Sequence, residues 1–321
     1  MIGSIVFFIG GLLVLGGSSE LIIRNITPLA RAIGVKELVI TILGVSVLSS
    51  MPELTVSTLA AVRGISDISV GNVIGSNFVT LTFATAVCAL FRPIEIHREV
   101  QERESSWMIL SSSLVLLMSL DGYLSASDGL VLMLTYVPYV LSVLKKAAKG
   151  VKQGRSMKAT RSSGLTRTVA LTVIGVAGVV GGSKIAIDAG TAVGTAMGIP
   201  TIALGVILFA FGTSLPELAI SLSATFKHKA DVTIGEIYAS NIFTQLVVLG
   251  ICCLIHPIPV APIMTRFAMP FLVLATVVIQ IFVTTDHRLK RIEALGLLLF
   301  YAVFAASQFT QLPSLEDLLG F

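Results

Sequence analysis

Long apolar runs, separated by short polar or charged stretches, dominate the chain. Ten of these runs have roughly the 20 residues that a transmembrane helix needs. They lie near residues 3–23, 38–62, 70–91, 105–120, 126–144, 168–187, 200–226, 232–255, 262–284 and 292–311. The pattern predicts an all-α polytopic membrane protein with ten transmembrane helices.

Composition and charge agree with this class of protein. The 321 residues are 55% hydrophobic and 12% charged, whereas about a quarter of the residues of a soluble domain are charged. If the N-terminus lies outside the cell, 19 of the 22 lysines and arginines fall in cytoplasmic loops, as the positive-inside rule requires. The exceptions are Arg63, Lys184 and Arg266. We therefore predict a multi-pass protein of the cell membrane with both termini outside.

The basic segment 145–167 is then a cytoplasmic linker near anionic membrane lipid. Because the net charge of +4 follows from topology, it indicates no nucleic-acid partner. Cys88, Cys252 and Cys253 lie in apolar helix ends without metal-ligand spacing. The sequence shows no nucleophile–base pair. These observations predict a transporter rather than an enzyme, with no cofactor.

The chain also contains an internal repeat with an offset of 164 residues. Residues 34–94 align with 198–258 without a gap, and 16 of the 61 pairs are identical. Each copy holds five predicted spans, so the second must begin on the opposite side of the membrane. Two inverted five-helix repeats are typical of secondary transporters. The predicted domains are an N-terminal repeat at 1–144 (repeated motif near 38–94), the linker at 145–167 and a C-terminal repeat at 168–321 (motif near 200–258).

Each repeat places a glutamate directly after a proline inside an apolar run: Glu53 after Pro52, and Glu217 after Pro216. A charged residue at mid-bilayer costs roughly 2.5–3.5 kcal/mol or more unless it is paired or hydrated. Proline removes a backbone donor and disfavours helix in the residue before it. We therefore expect a break in both helices, with carbonyl oxygens freed beside the carboxylate.

Polar residues lie close to these two proline–glutamate pairs in the sequence. The next helix of each repeat carries a stripe with i, i+4, i+8 spacing on one face. The stripes consist of Asn72, Ser76 and Thr80 in one copy and Glu236, Ser240 and Thr244 in the other. Ser49, Ser50, Thr213 and Ser214 add hydroxyls before the prolines. Such hard oxygen ligands suit Ca²⁺ and Na⁺ rather than zinc, copper or iron.

At these residues the sequence resembles the sodium/calcium exchanger family of the calcium/cation antiporter superfamily, in its prokaryotic form without a large regulatory loop. The family word G-T-S-x-P-E is intact in residues 212–217 and reads LSSMPE in 48–53. The second word reads GNVIGSNFVT in 71–80 and GEIYASNIFT in 235–244. The family's closing asparagine or aspartate is Thr80 and Thr244 here, so a carboxylate common in the family is absent.

The resemblance implies that Na⁺ is exchanged for Ca²⁺ by alternating access, with helices 1 and 6 sliding across the other helices. The resemblance also implies that ions are bound by the backbone carbonyls of four residues, namely Ser49, Thr213, Ser46 and Ala210. The complete predicted ion site comprises Glu53, Glu217, Ser49, Thr213, Ser50, Ser214, Ser76, Ser240, Thr80, Thr244, Ser46 and Ala210. The predicted partners are Ca²⁺, Na⁺ and membrane lipid, and the protein is expected to be a monomer. A Ca²⁺/H⁺ antiporter with the same glutamates is the alternative, and a cation channel is a third interpretation.

Overall fold

A computed structural model describes residues 2–32, 45–95, 98–150, 165–226, 230–286 and 288–308. Its α-helices are α1 (Ile2–Ala32), α2 (Val45–Ser49), α3 (Met51–Val62), α4 (Ser66–Phe78), α5 (Thr85–Phe91), α6 (Arg98–Met118), α7 (Ala126–Gly150), α8 (Leu165–Met197), α9 (Thr201–Ala203), α10 (Ala210–Thr213), α11 (Leu215–Phe226), α12 (Ala230–Phe243), α13 (Leu249–Ile255), α14 (Met269–Asp286) and α15 (Arg291–Ser307). Four π-helical segments lie at Val79–Ala84, Leu204–Phe209, Thr244–Val248 and Met264–Ala268. The start of the predicted second span, at 38–44, and most of the predicted linker, at 151–164, lie outside the described residues.

Each of the ten predicted apolar runs falls on helix in the structure. By length and composition, six helices of the described residues are able to cross a membrane, or seven if the bent pair that ends in α11 is one span. Another apolar helix, Glu104–Met118, is shorter. The helical membrane class is thus confirmed, while the count of ten spans stays a prediction.

Two continuous helical rods form the centre of the bundle. One consists of α4, the first π segment and α5, and the other of α12, the third π segment and α13. In the most apolar stretch of each rod, 83% of the residues are buried inside the protein. The corresponding share is 28% in α1, 22% in α7 and 33% in α8. The outer helices therefore present apolar side chains outward, as a helix facing hydrocarbon must.

α1 and α8 pack along a seam of small residues. A Cβ atom on Gly11 of α1 would lie 2.7 Å from the backbone nitrogen of Ala186 in α8. A Cβ atom on Gly182 would lie 2.8 Å from the backbone nitrogen of Leu15. Inside a membrane, such close approach of backbones drives helix association by van der Waals contact. The two helices consequently form a tightly packed pair.

A second glycine seam joins α4, in the first half of the chain, to the π segment before α10, in the second half. A Cβ atom on Gly75 of α4 would lie 2.2 Å from the carbonyl oxygen of Val206, in the π segment before α10. A Cβ atom on Gly71, one turn earlier, would lie 3.2 Å from Cα of Gly205. Glycine at these positions lets α4 touch the backbone of the opposite repeat and so brings the two halves together.

The structure adds two short antiparallel strand pairs that the hydrophobic pattern did not predict. β1 (Ile94–Glu95) pairs with β4 (Arg288–Leu289), and β2 (Tyr123–Leu124) pairs with β3 (Ile258–Pro259). Each pair joins a loop of the first half to a loop of the second half. Two-residue strands carry no detectable periodicity, so only the tertiary contact reveals them.

The α1–α8 seam is tested by replacing Gly182 with alanine. The added methyl group has no room beside the backbone of α1, and overpacking of this kind costs about 1–3 kcal/mol. We expect a lower midpoint of thermal unfolding for the purified protein in detergent. Gly181→Ala is the matched control, because open space surrounds a Cβ atom there. Equal midpoints for the two variants would contradict the close packing of this pair.

Candidate ion-binding site

As predicted, the helices that contain Pro52 and Pro216 are both interrupted just before the proline. α2 ends at Ser49 and α3 begins at Met51, while α10 ends at Thr213 and α11 begins at Leu215. Each proline is the second residue of its new helix, where a missing N–H is tolerated. The helices on the two sides of the second break are inclined by 43°. The prediction of matched breaks is therefore confirmed.

One serine lies in each break. Ser50 has φ −84° and ψ 12°, and Ser214 has φ −81° and ψ 3°. These torsions belong to the sparsely populated bridge region, which is common at the ends of turns and at functional sites. The almost identical conformations of the two serines show that the same sequence word folds the same way in both halves.

The serine in each break contacts the glutamate that follows the other break. The hydroxyl of Ser214 donates a hydrogen bond to Oε1 of Glu53 at 3.3 Å, and the hydroxyl of Ser50 donates to Oε1 of Glu217 at 3.2 Å. Glu53 is 1% exposed and Glu217 is 2% exposed. Each carboxylate is thus held by the broken helix of the opposite half.

Asn72, on α4, is the first polar residue of its stripe. The hydroxyl of Thr213 donates to Oδ1 of Asn72 at 3.1 Å. Nδ2 of Asn72 donates to the hydroxyl of Ser57 in α3 at 2.9 Å. The amide therefore joins the end of one broken helix to the continuation of the other.

Glu236, on α12, takes the equivalent place in the second half. The hydroxyl of Ser49 donates to Oε1 of Glu236 at 2.8 Å, and the hydroxyl of Ser221 in α11 donates to Oε2 at 3.3 Å. Glu236 is 6% exposed. Its partners are the counterparts, at the 164-residue offset, of the partners of Asn72.

The two threonines predicted as ligands take part in a hydrogen-bonded contact between α4 and α12. The hydroxyl of Thr80 donates to Oδ1 of Asn241 at 2.8 Å. Nδ2 of Asn77 donates to the hydroxyl of Thr244 at 2.8 Å, and Nε2 of Gln245 donates to Oδ1 of Asn77 at 2.6 Å. Thr80 is the second residue of the first π segment, and Thr244 is the first residue of the third. These bonds hold the central rods together beside the site.

The remaining predicted ligands are placed by bonds within their own helices. The buried hydroxyls of Ser76 and Ser240 donate to the carbonyls of Val73 and Ile237. The carbonyl of Ser46 accepts the backbone N–H of Ser50 at 3.3 Å. The carbonyl of Ala210 accepts that of Ser214 at 3.1 Å. The two carbonyls that the family resemblance implies as ligands thus each accept the backbone N–H of the serine in the following break.

In the described part of the chain, no basic side chain forms an ion pair with the buried glutamates of this region. Oε2 of Glu53 and Oε2 of Glu217 are buried and have no hydrogen-bond partner among the described residues. The hydrogen bonds that reach the carboxylates of Glu53, Glu217 and Glu236 from the described residues come from serine hydroxyls. An ionised carboxylate in such surroundings is strongly unfavourable without a counter-charge. The arrangement can therefore bind cations.

Where the structure is described, no three His, Cys, Asp or Glu side chains form a group able to hold one metal ion. Glu53, Glu217 and Glu236 accordingly do not constitute a single three-carboxylate centre. Glu236 is nevertheless joined to both broken helices, through the hydroxyls of Ser49 and Ser221. The site is an extended region of negative charge with two glutamates at the helix breaks and a third beside them.

Two residues of this region, Asn72 and Glu236, were absent from the predicted ion site. The repeat alignment already paired them, and both belong to the polar stripes. What the sequence did not reveal is that each is bonded to residues of both broken helices. Glu236 stands where the family word has asparagine, and that substitution was the available signal.

The family model described as "Sodium/calcium exchanger protein" matches residues 3–145 and, a second time, residues 167–310. This chain belongs to that family. The two matches begin at residues 3 and 167 and so are 164 residues apart, the same offset as the internal repeat. The chain is thus a multi-pass membrane protein of a cation-antiporter family.

Individual relatives agree with the family match. The chain is 32% identical to the inner membrane protein YrbG of Escherichia coli, over 79% of this chain and 80% of that protein. It is 26% identical to the sodium/calcium exchanger MaX1 of Methanosarcina acetivorans, over 92% and 95%. A solved structure of the sodium-calcium exchanger NCX_Mj, soaked with 2.5 mM Na⁺ and 0.1 mM Ca²⁺, superposes with a TM-score of 0.68 at 25% identity, covering 96% of this chain and 99% of that one.

The contact between the central rods is tested with a double-mutant cycle at Asn77 and Thr244. Asn77→Ala leaves the Gln245 amide without its Asn77 partner and removes the bond that the Thr244 hydroxyl accepts, although that hydroxyl still donates to the carbonyl of Asn241. A buried unsatisfied group costs about 1–3 kcal/mol. We expect the double variant to be less destabilised than the sum of the two single variants, because both break the same bond. Thermal unfolding of the purified proteins measures this. Thr135→Ala, at an exposed hydroxyl bonded within its own helix, is the control. Strict additivity would show that the bond does not form.

Proposed function

We propose that this protein exchanges Ca²⁺ for Na⁺ across the membrane, with Glu53 and Glu217 as the central ion-binding residues. The observation that supports this most directly is the pair of buried Oε2 atoms without a partner. The other oxygen of each carboxylate is held by a serine of the opposite helix break. One oxygen of each glutamate is thus fixed, and the other is available to a cation.

The chemistry of the surrounding atoms favours these two ions. Two carboxylates carry two negative charges, which one Ca²⁺ or two Na⁺ neutralise. Ca²⁺ takes six to eight oxygen ligands at about 2.3–2.6 Å, more than two carboxylates supply. The proposed additional ligands are the hydroxyls or carbonyls of Ser49, Thr213, Ser50, Ser214, Ser76, Ser240, Thr80, Thr244, Ser46 and Ala210. All of them are oxygen donors, as hard cations require.

The breaks also release backbone carbonyls from helical hydrogen bonding beside that ligand set. Because Pro52 has no N–H, the carbonyl four residues earlier, on Leu48, loses its helical donor, and the same holds for Gly212 before Pro216. Non-helical backbone is tolerated at membrane depth only where protein or a cavity surrounds it. Both breaks lie among buried residues, which supports a site enclosed by protein at the middle of the bundle.

The proposed architecture is ten transmembrane helices in two inverted repeats. The bonds between the two helix breaks form a matched pair, with partners shifted by 164 residues: Ser214 to Glu53 and Ser50 to Glu217. Such reciprocity is expected of a two-fold axis, and the double family match supports the same division. The proposed domains remain 1–144 and 168–321, joined by the linker at 145–167.

Alternating access requires one set of helices to move relative to another. We propose that the α1–α8 pair slides as a unit across the central rods. The glycine seam keeps these two helices together. An exposed ion pair between Arg63 after α3 and Asp188 of α8 supports a common side of the membrane for these ends. Both lie on the outer side if the termini are outside, and the 145–167 linker is then cytoplasmic.

Replacing either glutamate with glutamine should abolish transport. Glu53→Gln or Glu217→Gln removes one of the two central charges while preserving side-chain size, so a divalent cation loses its counter-charge. We expect at least a tenfold loss of ⁴⁵Ca²⁺ uptake into proteoliposomes, since a cost of about 1.4 kcal/mol or more suffices. Glu20→Gln, at an exposed ion pair within α1, is the control. Uptake like that of the wild-type protein by either variant would refute the assignment.

The coupling ion is tested in the same vesicles. We expect an outward Na⁺ gradient to drive ⁴⁵Ca²⁺ uptake, and an outward H⁺ gradient without Na⁺ to have no effect. The reverse result would replace Na⁺/Ca²⁺ exchange by Ca²⁺/H⁺ exchange at the same glutamates. Uptake that needs neither gradient and follows the membrane potential alone would indicate a channel.

A further inference from the structure

The break before Pro52 is contacted by a helix that lies outside the central rods. The buried hydroxyl of Ser19, on α1, donates a hydrogen bond to the carbonyl oxygen of Leu48 at 3.4 Å. Because Pro52 has no N–H, this carbonyl has lost its helical donor. A buried carbonyl is normally paired, so Ser19 supplies the bond that the proline removes. The position of α1 is thereby linked to the broken helix.

The matching serine of the second half makes a different bond. At the 164-residue offset, Ser183 of α8 corresponds to Ser19, and Gly212 corresponds to Leu48. The buried hydroxyl of Ser183 donates to the carbonyl of Val179, within its own helix, at 2.8 Å. A serine hydroxyl has one proton to donate, so this bond occupies it. The two equivalent serines are therefore bonded unequally, one to a helix break and the other to its own helix.

The surface between the α1–α8 pair and the helices beside it contains a buried apolar cluster. Its members are Phe8, Leu15, Ala186, Ile187 and Ala189 of the pair, and Val56, Ala60, Ile68, Leu204 and Phe209 of the neighbouring segments. Apolar contacts are non-directional and tolerate a displacement, whereas a hydrogen bond weakens steeply when its geometry changes. A hydroxyl-to-carbonyl bond across this surface therefore favours one position of the pair over others.

We propose that Ser19 and Ser183 are alternate latches, each holding the α1–α8 pair in one of its two positions. The inference rests on the proposed function, because it requires inverted halves and a sliding pair. In the opposite position the two halves exchange their environments. Ser183 then donates to the carbonyl of Gly212, which Pro216 deprives of its helical donor, while Ser19 turns to the carbonyl of Leu15 in its own helix. One bond is lost as the other forms, so the two states stay close in free energy.

Alanine variants of the two serines separate a latch from a merely structural hydroxyl. The apparent Ca²⁺ affinity at one face of the membrane scales with the population of the state open to that face. The measured quantity is the ratio of half-maximal Ca²⁺ concentrations for ⁴⁵Ca²⁺ uptake by right-side-out and inverted membrane vesicles, both loaded with Na⁺. We expect Ser19→Ala and Ser183→Ala to shift this ratio in opposite directions, each about fivefold, as the loss of one net hydrogen bond gives. The double variant should return to the wild-type ratio.

Thr195→Ala is the matched control, because Thr195 has an exposed hydroxyl on α8 that bonds within its own helix. This variant should keep the wild-type ratio. Shifts of both serine variants in the same direction, or an unchanged ratio in both, would overturn the latch.

A second measurement tests the latch apart from ion transport. Arg63 and Asp188 are paired in the present position, and the cysteines of the described residues are buried. A short bifunctional thiol reagent should link the cysteines of an Arg63→Cys, Asp188→Cys variant more slowly with Ser19→Ala than with Ser183→Ala. Equal rates would contradict the latch. Absence of Na⁺-driven ⁴⁵Ca²⁺ flux in the wild-type protein would instead refute the proposed function, and the cross-linking rates would still decide on the latch.

Discussion

Uncompensated negative charge inside an apolar bundle is the constraint on which the rest of this structure depends. Glu53 and Glu217 lie in segments that are otherwise apolar or small, almost wholly buried, each with one free carboxylate oxygen. Such groups persist in a membrane protein only if the fold supplies polar neighbours and access for a counter-ion. The proline breaks, the two serines within them and the polar stripes of α4 and α12 all meet that requirement at one depth of the bundle.

The glycine seams are a second consequence of the same constraint. Hydrogen bonds between opposite breaks require backbones of the two halves to approach within a few ångströms. Gly71 and Gly75 allow this on one side of α4, where any side chain would collide with Gly205 or Val206. The polar bonds and the small residues therefore depend on one another: without close backbones the hydroxyls could not reach the carboxylates, and without the hydroxyls close packing would bury bare charges.

The two halves share the backbone geometry of the helix break but differ in the charge of an equivalent residue beside it. Ser50 and Ser214 have nearly the same torsions, and their hydrogen bonds to Glu217 and Glu53 form a matched pair. Asn72 and Glu236 nevertheless occupy equivalent places with different charge. A repeat scaffold can hence keep its bonds while the number of acidic residues in the site changes, because both an amide oxygen and a carboxylate oxygen accept a hydrogen bond from a hydroxyl.

The sequence by itself determined the helical membrane class, the two helix breaks and the residue types around them. These features are local: apolar length predicts a span, a proline predicts a break, and a carboxylate after it predicts a polar site. Membership of the sodium/calcium exchanger family followed from the same two words. Only the tertiary structure decided which groups touch, namely that each glutamate is held from the opposite half and that Thr80 and Thr244 bond to amides across α4 and α12. Glu236 illustrates the difference, because its partners are 187 and 15 residues away along the chain, and such pairings depend on helix packing, which no local pattern encodes.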